Sequence, residues 1–331
     1  MPNDMVDLAL KAISVTTLNE SILVPSQYSR FVRAMQHKAT ILNEARFIPM
    51  ESHTAKIDRV GFVGRIMRSG GAVTTGVQAH RVLADGEHAA PTFSTNTLIA
   101  RELQAICGIQ DTALRRNLER AGFENTLVDL FGEAAGRDME EFAILADSAI
   151  LHADDDILSL TDGWAKLGAN KIYGGAGGQF DPDDDGYPEN LFQALLDALP
   201  KQYLQNKADW RIYVDFDTED EYRNTLKARG TALGDTAQTT SGVLMWKGIQ
   251  IKYCPLMERA AAVGDYANAP GRIAMLQHPD NMVWGIFHQI TIEPDRVPKE
   301  RKTDFVLTVE GDAHYEDENA CVIAYLDKNN P

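Results

Sequence analysis

Cysteine is scarce and long apolar runs are absent. Cys107, Cys254 and Cys321 are odd in number and far apart in 331 residues, which argues against a disulfide framework and for buried free thiols. No run of eighteen or more apolar residues occurs, so the sequence offers no candidate for a membrane-spanning helix. The opening MPNDMVDLALKAIS carries acids where a secretory signal would carry lysine or arginine, and the expected compartment is a cytoplasm. Positive charge is also thin: 32 Lys and Arg stand against 48 Asp and Glu, a net charge of −16. An acidic body lacks the positive patch that non-specific nucleic-acid binding requires. Internal repeats, heptads and low-complexity segments are missing too.

Hydrophobic residues make up 44% of the chain, enough for two or more packed cores. The charge is unevenly spread. From Arg30 to Arg81 nine basic residues face three acidic ones, giving +6, so the other 23 basic and 45 acidic residues give −22.

The strongest periodic signal runs from Glu124 to Ile150, where Leu127, Leu130, Phe131, Ala134, Ala135, Met139, Phe142, Ala143, Ala146 and Ile150 recur at helical spacing. This predicts a long spine helix started after Gly122 and capped by Asn125 or Thr126. Gly132 and Gly136 inside it are either surface glycines or a seam for another backbone. Before it, residues 1 to about 45 read as an arm with a helix from Ser26 to Asn43, whose apolar face must finish its burial elsewhere. Lys56 to Arg68 alternates, with Val60, Phe62 and Ile66 on one face and Arg59, Val63, Arg65 and Met67 on the other. With Thr92 to Cys107 it predicts a two-stranded ribbon, although Arg101 to Cys107 also reads as helix. An isolated ribbon is marginal in water, so this one should lie on a partner subunit. A short helix is expected over Asp111 to Ala121.

After the spine helix the pattern becomes α/β. Helices are predicted from Pro188 and from a capping box at Thr218 and Glu221 that closes at Gly230, and strands at Trp210 to Phe216, Ile249 to Cys254 and Arg272 to Leu276. The end is strand-rich: Gly285 to Glu293, then a turn PDRVPKERK, Thr303 to Tyr315, and Cys321 to Leu326.

Motifs for chemistry are weak. Asp181, Asp183 and Asp185 in DPDDDG match the first half of a calcium loop, but its twelfth position falls on Phe192, so a solvated acidic turn is the better reading. Gly174, Gly175, Gly177 and Gly178 lack the lysine and hydroxyl of a phosphate loop. No histidine pair, serine or cysteine carries a local metal-binding or catalytic signature. His288 reads as a core or interface histidine, and Glu140 and Glu141 as a solvated helix face. Neither catalysis nor a cofactor is expected.

Taken in order, several stretches resemble the major capsid proteins of tailed bacteriophages, the Hong Kong 97 type. They are RFVRAMQHKATILNEARFIPM, KIDRVGFVGRIM, the spine helix, DGWAKL, FQALLDALPKQYL, WRIYVDFDTEDEYRNTLKARGTALGD, WKGIQIKYCPLM, GIFHQITIEPDRV and DFVLTVEGDAHYEDENACV. Each is weak alone, and together they span most of the chain. The resemblance implies an α+β phage major capsid fold: an N-terminal arm at 1–46, an extended loop at 47–108, a peripheral domain with the spine helix at 109–150, an axial domain at 151–284, and peripheral strands with the C-terminal strand at 285–331.

It further implies a virion shell of pentamers and hexamers around double-stranded DNA held without specific binding, assembled in the host cytoplasm. The implied partners are a scaffolding protein, a portal and, in some members, a decoration protein. Some members cross-link through a loop lysine; here the loop holds only Lys56, near its base, so no cross-link is expected. An arm of about 45 residues is too short for a fused scaffold, and a start at Met1 suggests that no leading piece is removed. Arg59, Phe62, Arg65, Arg68 and Arg81 are the expected subunit-interface residues, the basic segment docking on an acidic neighbour. A cellular nanocompartment shell shares the implied fold, and a soluble acidic α/β enzyme is the reading of a different class.

Overall fold

The computed structural model describes residues 40–61, 66–71, 73–74, 77–78, 80–84, 87–89, 91–110, 121–149, 157–175, 178–184, 186–228, 243–257 and 272–326. The helix expected over Ser26 to Asn43 falls outside these except for 40–43, which form a turn, and the one expected over 111–120 falls outside them entirely. In chain order the elements are β1 (Arg46–Pro49), β2 (Thr54–Gly61), β3 (Val73–Thr74), β4 (Val77–Gln78), β5 (Thr92–Ile99), β6 (Arg101–Gln110), α1 (Ala121–Leu145), α2 (Trp164–Leu167) and β7 (Asn170–Tyr173). Then follow α3 (Glu189–Ala198), β8 (Arg211–Val214), α4 (Phe216–Ala228), β9 (Met245–Trp246), β10 (Ile249–Tyr253), β11 (Ile273–Gln277), β12 (Met282–Val297), β13 (Lys302–Tyr315) and β14 (Cys321–Tyr325).

A six-stranded sheet, ordered β7-β14-β11-β8-β10-β9, divides the hydrophobic interior in two. Side chains on successive strand positions point to opposite faces. In β14, Cys321, Ile323 and Tyr325 therefore join one core while Val322, Ala324 and Leu326 beyond them join the other. β11 repeats the division, with Ile273 and Met275 on the first side and Ala274 and Leu276 on the second. A strand buried on both faces needs no polar alternation, which is why CVIAY and IAMLQ are buried throughout. The second core is closed by Leu191, Phe192, Leu195 and Leu196 of α3 and by Tyr222 and Leu226 of α4. Phe192 and Tyr222 meet edge to face with centroids 5.2 Å apart.

The first core lies between that sheet, helix α1 and a four-stranded sheet ordered β1-β12-β13-β6. α1 contributes Met139, Phe142, Ala143 and Ile144, and Phe142 meets Trp284 edge to face at 6.1 Å. The long β12–β13 hairpin pairs from Met282↔Tyr315 to Val297↔Lys302, so its turn is confined to 298–301 instead of the whole expected PDRVPKERK stretch. Pairing of β13 with β6 as far as Lys302↔Gln110 keeps the hairpin extended to that point.

Several expectations shift. α1 begins at Ala121, so Gly122 and the expected caps Asn125 and Thr126 lie within the helix, and it ends at Leu145, short of Ile150. Its end is fixed where the Gly163 amide donates to the Ala146 carbonyl at 2.7 Å. A Cβ at Gly163 would sit 2.9 Å from backbone atoms of residues 143–146, so only glycine admits this approach. Around Gly132 and Gly136 a Cβ would meet nothing within 4 Å among the described residues. Arg101–Gln110 is strand, not helix, and it leaves the ribbon to pair with β13. α4 starts at Phe216, which puts Thr218 inside its first turn, buried, with its hydroxyl 2.6 Å from that of Tyr187.

Candidate functional site

The ribbon β2–β5 is registered from Thr54↔Ile99 to Gly61↔Thr92. Burial along β2 alternates, with Ala55, Ile57, Arg59 and Gly61 turned toward the body and Lys56, Asp58 and Val60 turned away. The alternation agrees with the sequence pattern, which left open which face is inward. Val60 is 59% exposed and its cross-strand partner Phe93 is 69% exposed, while Arg59 points inward. The physical reason is a waiting partner for the guanidinium, which an apolar side chain could not satisfy.

That partner is Asp317. Arg59 pairs with its carboxylate, the Tyr203 hydroxyl donates to Asp317 Oδ2 at 2.7 Å, and the Asn319 amide donates to Oδ1 at 3.1 Å. Asn281 holds the same residue by its backbone, accepting from the Asp317 amide at 2.8 Å and donating to its carbonyl at 3.0 Å. Burial works against the charged carboxylate, yet the hydrogen bonds from Tyr203 and Asn319 and the Arg59 charge bring Asp317 below its ordinary value. Burial likewise works against the Arg59 charge, and Asp317 and Tyr203 outweigh it so that its pKa rises. Beside the pair lies a cleft of about 280 Å³, lined among others by Trp210, His278, Asp280 and Glu316. Glu316 accepts from Arg46 at 2.7 Å, so the turn after β13 receives cations from both β1 and the ribbon.

The ribbon base is seated by other contacts. Leu98 packs with Met50 and Val283 in a small separate cluster. The Ile99 amide donates to Asp312 Oδ2 at 2.8 Å, and Asn96 Nδ2 to the Tyr315 carbonyl at 2.8 Å. Asp312 is buried, which raises its pKa despite bonds from Ile99, Thr161 and Ala313.

Further out, Phe62 and Arg65 lie outside the described residues. Arg81 pairs with Glu87 in the same loop, and Glu87 is lowered by the Ala84 amide and Arg81. Arg68 is exposed, as are Met67 at 81% and Val82 at 86%. Of the three expected interface residues that are described, Arg59 and Arg81 have partners within the subunit. In the acidic turn, Asp181 Oδ1 accepts the Asp183 amide at 3.1 Å, and Asp185 lies outside the described residues.

Glu140 and Glu141 are buried, not solvated. Glu140 Oε1 accepts the Thr40 amide at 2.7 Å, the Leu42 amide at 3.2 Å and the Ile41 amide between them. Those donors belong to a turn whose Ile41, Leu42 and Ala45 enter the first core. Two residues on, Glu44 accepts from the Tyr213 hydroxyl at 2.6 Å and pairs with Lys252. The arm's last residues are therefore wedged between α1 and the six-stranded sheet. One signal for Glu140 was in the sequence: it stands one helical turn before Ile144, on the buried side. For Asp317, Tyr203 and Asp312 there was none, because their partners come from distant segments. His288 is exposed beside a register irregularity of β12, so it is no core histidine.

An α1 spine, two sheets sharing a core and a projecting ribbon together make the fold of a viral shell subunit. The capsid of an empty GTA particle shares it with TM-score 0.58 at 14% identity, over 95% of this chain and 99% of that one. The mature capsid of bacteriophage PhiM1 shares it with TM-score 0.59 at 10% identity, over 93% of both chains. A structure from Mycobacterium phage Adephagia gives TM-score 0.57 at 13% identity, over 96% of this chain and 99% of that one. No protein-family model matches the chain. In sequence it is 31% identical over 310 residues to the prophage capsid protein YqbE of Bacillus subtilis (strain 168), covering 93% of this chain and 94% of that one. The chain belongs to the family of phage capsid proteins and is a structural protein of the virion shell.

Proposed function

We propose that the chain is the major capsid protein of a tailed phage, forming pentamers and hexamers of an icosahedral shell around double-stranded DNA. The observation that carries this is the ribbon's outer face. Val60 and Phe93 pair across the strands and remain in water, and Met67 and Val82 beyond them are more exposed still. Covering side chains of this size stabilises by roughly 1.5–3 kcal/mol each. A second copy of the chain is the natural cover. On this reading Phe62, Arg65 and Arg68 extend the same interface, with Arg81 at its edge, and the acidic remainder keeps packaged DNA from sticking. In the division into arm, extended loop, peripheral and axial domains, β14 joins the axial segment, since it pairs with β11 and β7, and the ribbon strand hands over to the body at Ala100.

A scaffolding protein, a portal and assembly in the host cytoplasm complete the reading, which requires no cofactor and no catalysis. The test is the particle mass of the purified chain, alone and with a scaffolding protein encoded beside it, by light scattering and negative-stain imaging. Capsomer rings or closed shells are expected. A monomer or small dimer under both conditions would overturn the proposal.

A further inference from the structure

We propose that Arg59 is a positioning residue: by pairing with Asp317 of its own subunit it latches the ribbon to the body and fixes the angle at which the ribbon projects. The proposal rests on the shell reading only where that angle is taken to govern assembly.

The geometry is that of a lever. The contacts of Leu98, Ile99 and Asn96 hold the ribbon at its base, where Thr54 pairs with Ile99. Arg59, opposite Ser94, stands two residues beyond the level of Asn96, which faces Ile57, and so lies roughly 7 Å further out at a strand's rise per residue. A base alone fixes where the ribbon starts; a second point out along it fixes its direction. Among the described residues, Arg59 makes the ribbon's ion pair to the body furthest from that base.

The receiving end is built to stay in place whether or not Arg59 arrives. Asp317 already accepts from Tyr203 and Asn319, and Asn281 clamps its backbone from both sides. Asn281 is held in turn, donating also to the Ala320 carbonyl at 3.2 Å. The body therefore keeps a bonded carboxylate when the guanidinium leaves. The Arg59 side chain is 38% exposed and that of Asp317 10%, so the moving partner approaches from solvent and the fixed one lies inside. A latch needs this asymmetry, because a pair buried on both sides could not release without unfolding its surroundings. Arg46 binding Glu316 on the same turn ties the landing point to β1 as well.

The test uses the unassembled full-length subunit with spin labels at Phe93→Cys on the ribbon and Lys207→Cys on the body, in a Cys107→Ser background. With Arg59 present a single narrow distance distribution is expected. R59Q should lose that narrow distribution while the melting temperature stays put. D317N should do the same, and the double variant should add nothing further, since both changes break one contact. In unlabelled protein, R59Q should give shells of mixed size or open curved sheets where the parent gives uniform shells. A narrow distribution retained in R59Q would overturn the latch, and so would broadening by R59Q but not D317N. A fall in melting temperature as large as that from a core truncation would reassign Arg59 to the body's stability. Broadened distances with uniform R59Q shells would overturn the link to assembly. If the parent forms no shells at all, the shell reading fails while the distance result still decides the latch.

Discussion

The strand β14 and the strand β2 are both extended and both alternate, yet water treats them oppositely. Every residue of CVIAY is buried, because the six-stranded sheet has a core on each face. In TAKIDRVG only alternate residues are partly covered, and the outward ones end in Val60, which remains in solvent. The six-stranded sheet has finished its burial at β14 and β11, although Ile106, Phe216 and Val243 elsewhere in the body remain in water. The ribbon has covered only one of its faces, and Val60 and Phe93 on the other stay in water. A shell subunit has reason to be made this way: stable enough to wait as a monomer, with apolar surface held back for its neighbours.

That contrast can be broken most violently in the body. Trp164 is fully buried, donates to the His314 carbonyl at 3.0 Å and receives the Tyr315 hydroxyl on its own carbonyl. Trp164→Ala should cost about 3–5 kcal/mol in urea unfolding. Next in size is Glu140→Ala, which strips the acceptor from the amides of residues 40–42 and should cost about 1–3 kcal/mol. Glu140→Gln keeps an acceptor oxygen and should cost less. If either loosened the ribbon more than the body in hydrogen exchange, the two regions would not be separable.

Acid should act on them with opposite sign. Burial raises the pKa of Glu140 and of Asp215, so their contribution is greatest when protonated and falls as pH rises through the raised folded values. Asp317 is lowered, so its contribution is present above the ordinary aspartate value of about 4 and is lost as pH falls through the lower folded one. Moderate acidification from neutrality should therefore hold or raise the subunit's melting temperature. The ribbon distance distribution should broaden only below about pH 4. Broadening that begins near neutrality would assign control to another group.

The smallest change to the free subunit should come from Val60→Asp with Phe93→Asp, within about 0.5 kcal/mol because both sites are already in water. The same pair should abolish shells in light scattering. Normal shells from it would show that this face is not the interface. Finally, mature particles should run as single subunits on denaturing gels, since Lys56 is the extended loop's one lysine; a covalent ladder would contradict this.

Much of this architecture was legible locally. The stripe of α1, the two-sided apolar strands of the six-stranded sheet and the long closing hairpin all follow from the spacing of apolar residues, because periodicity is a property of neighbours in the chain. The order of the segments was enough to suggest the family. Ends and facings were less legible. Gly122 lies inside α1 instead of before it, since one interior glycine carries only a modest cost. Glu141 and Glu140 looked like solvent-facing acids, and only the amides of the distant arm turn explain the burial of Glu140.

The sequence by itself determined that this is an acidic α+β chain with a spine helix, a basic segment and an arm and ribbon that cannot complete their own burial. Only the tertiary structure decided which ribbon face is free and which charges are already paired. Arg59 and Val60 are adjacent, and strand geometry sends them to opposite sides whichever side is inward. The choice was made by Asp317, held ready by Tyr203, Asn281 and Asn319 from other segments, because a carboxylate fixed in place attracts a guanidinium and gives a valine nothing to bond.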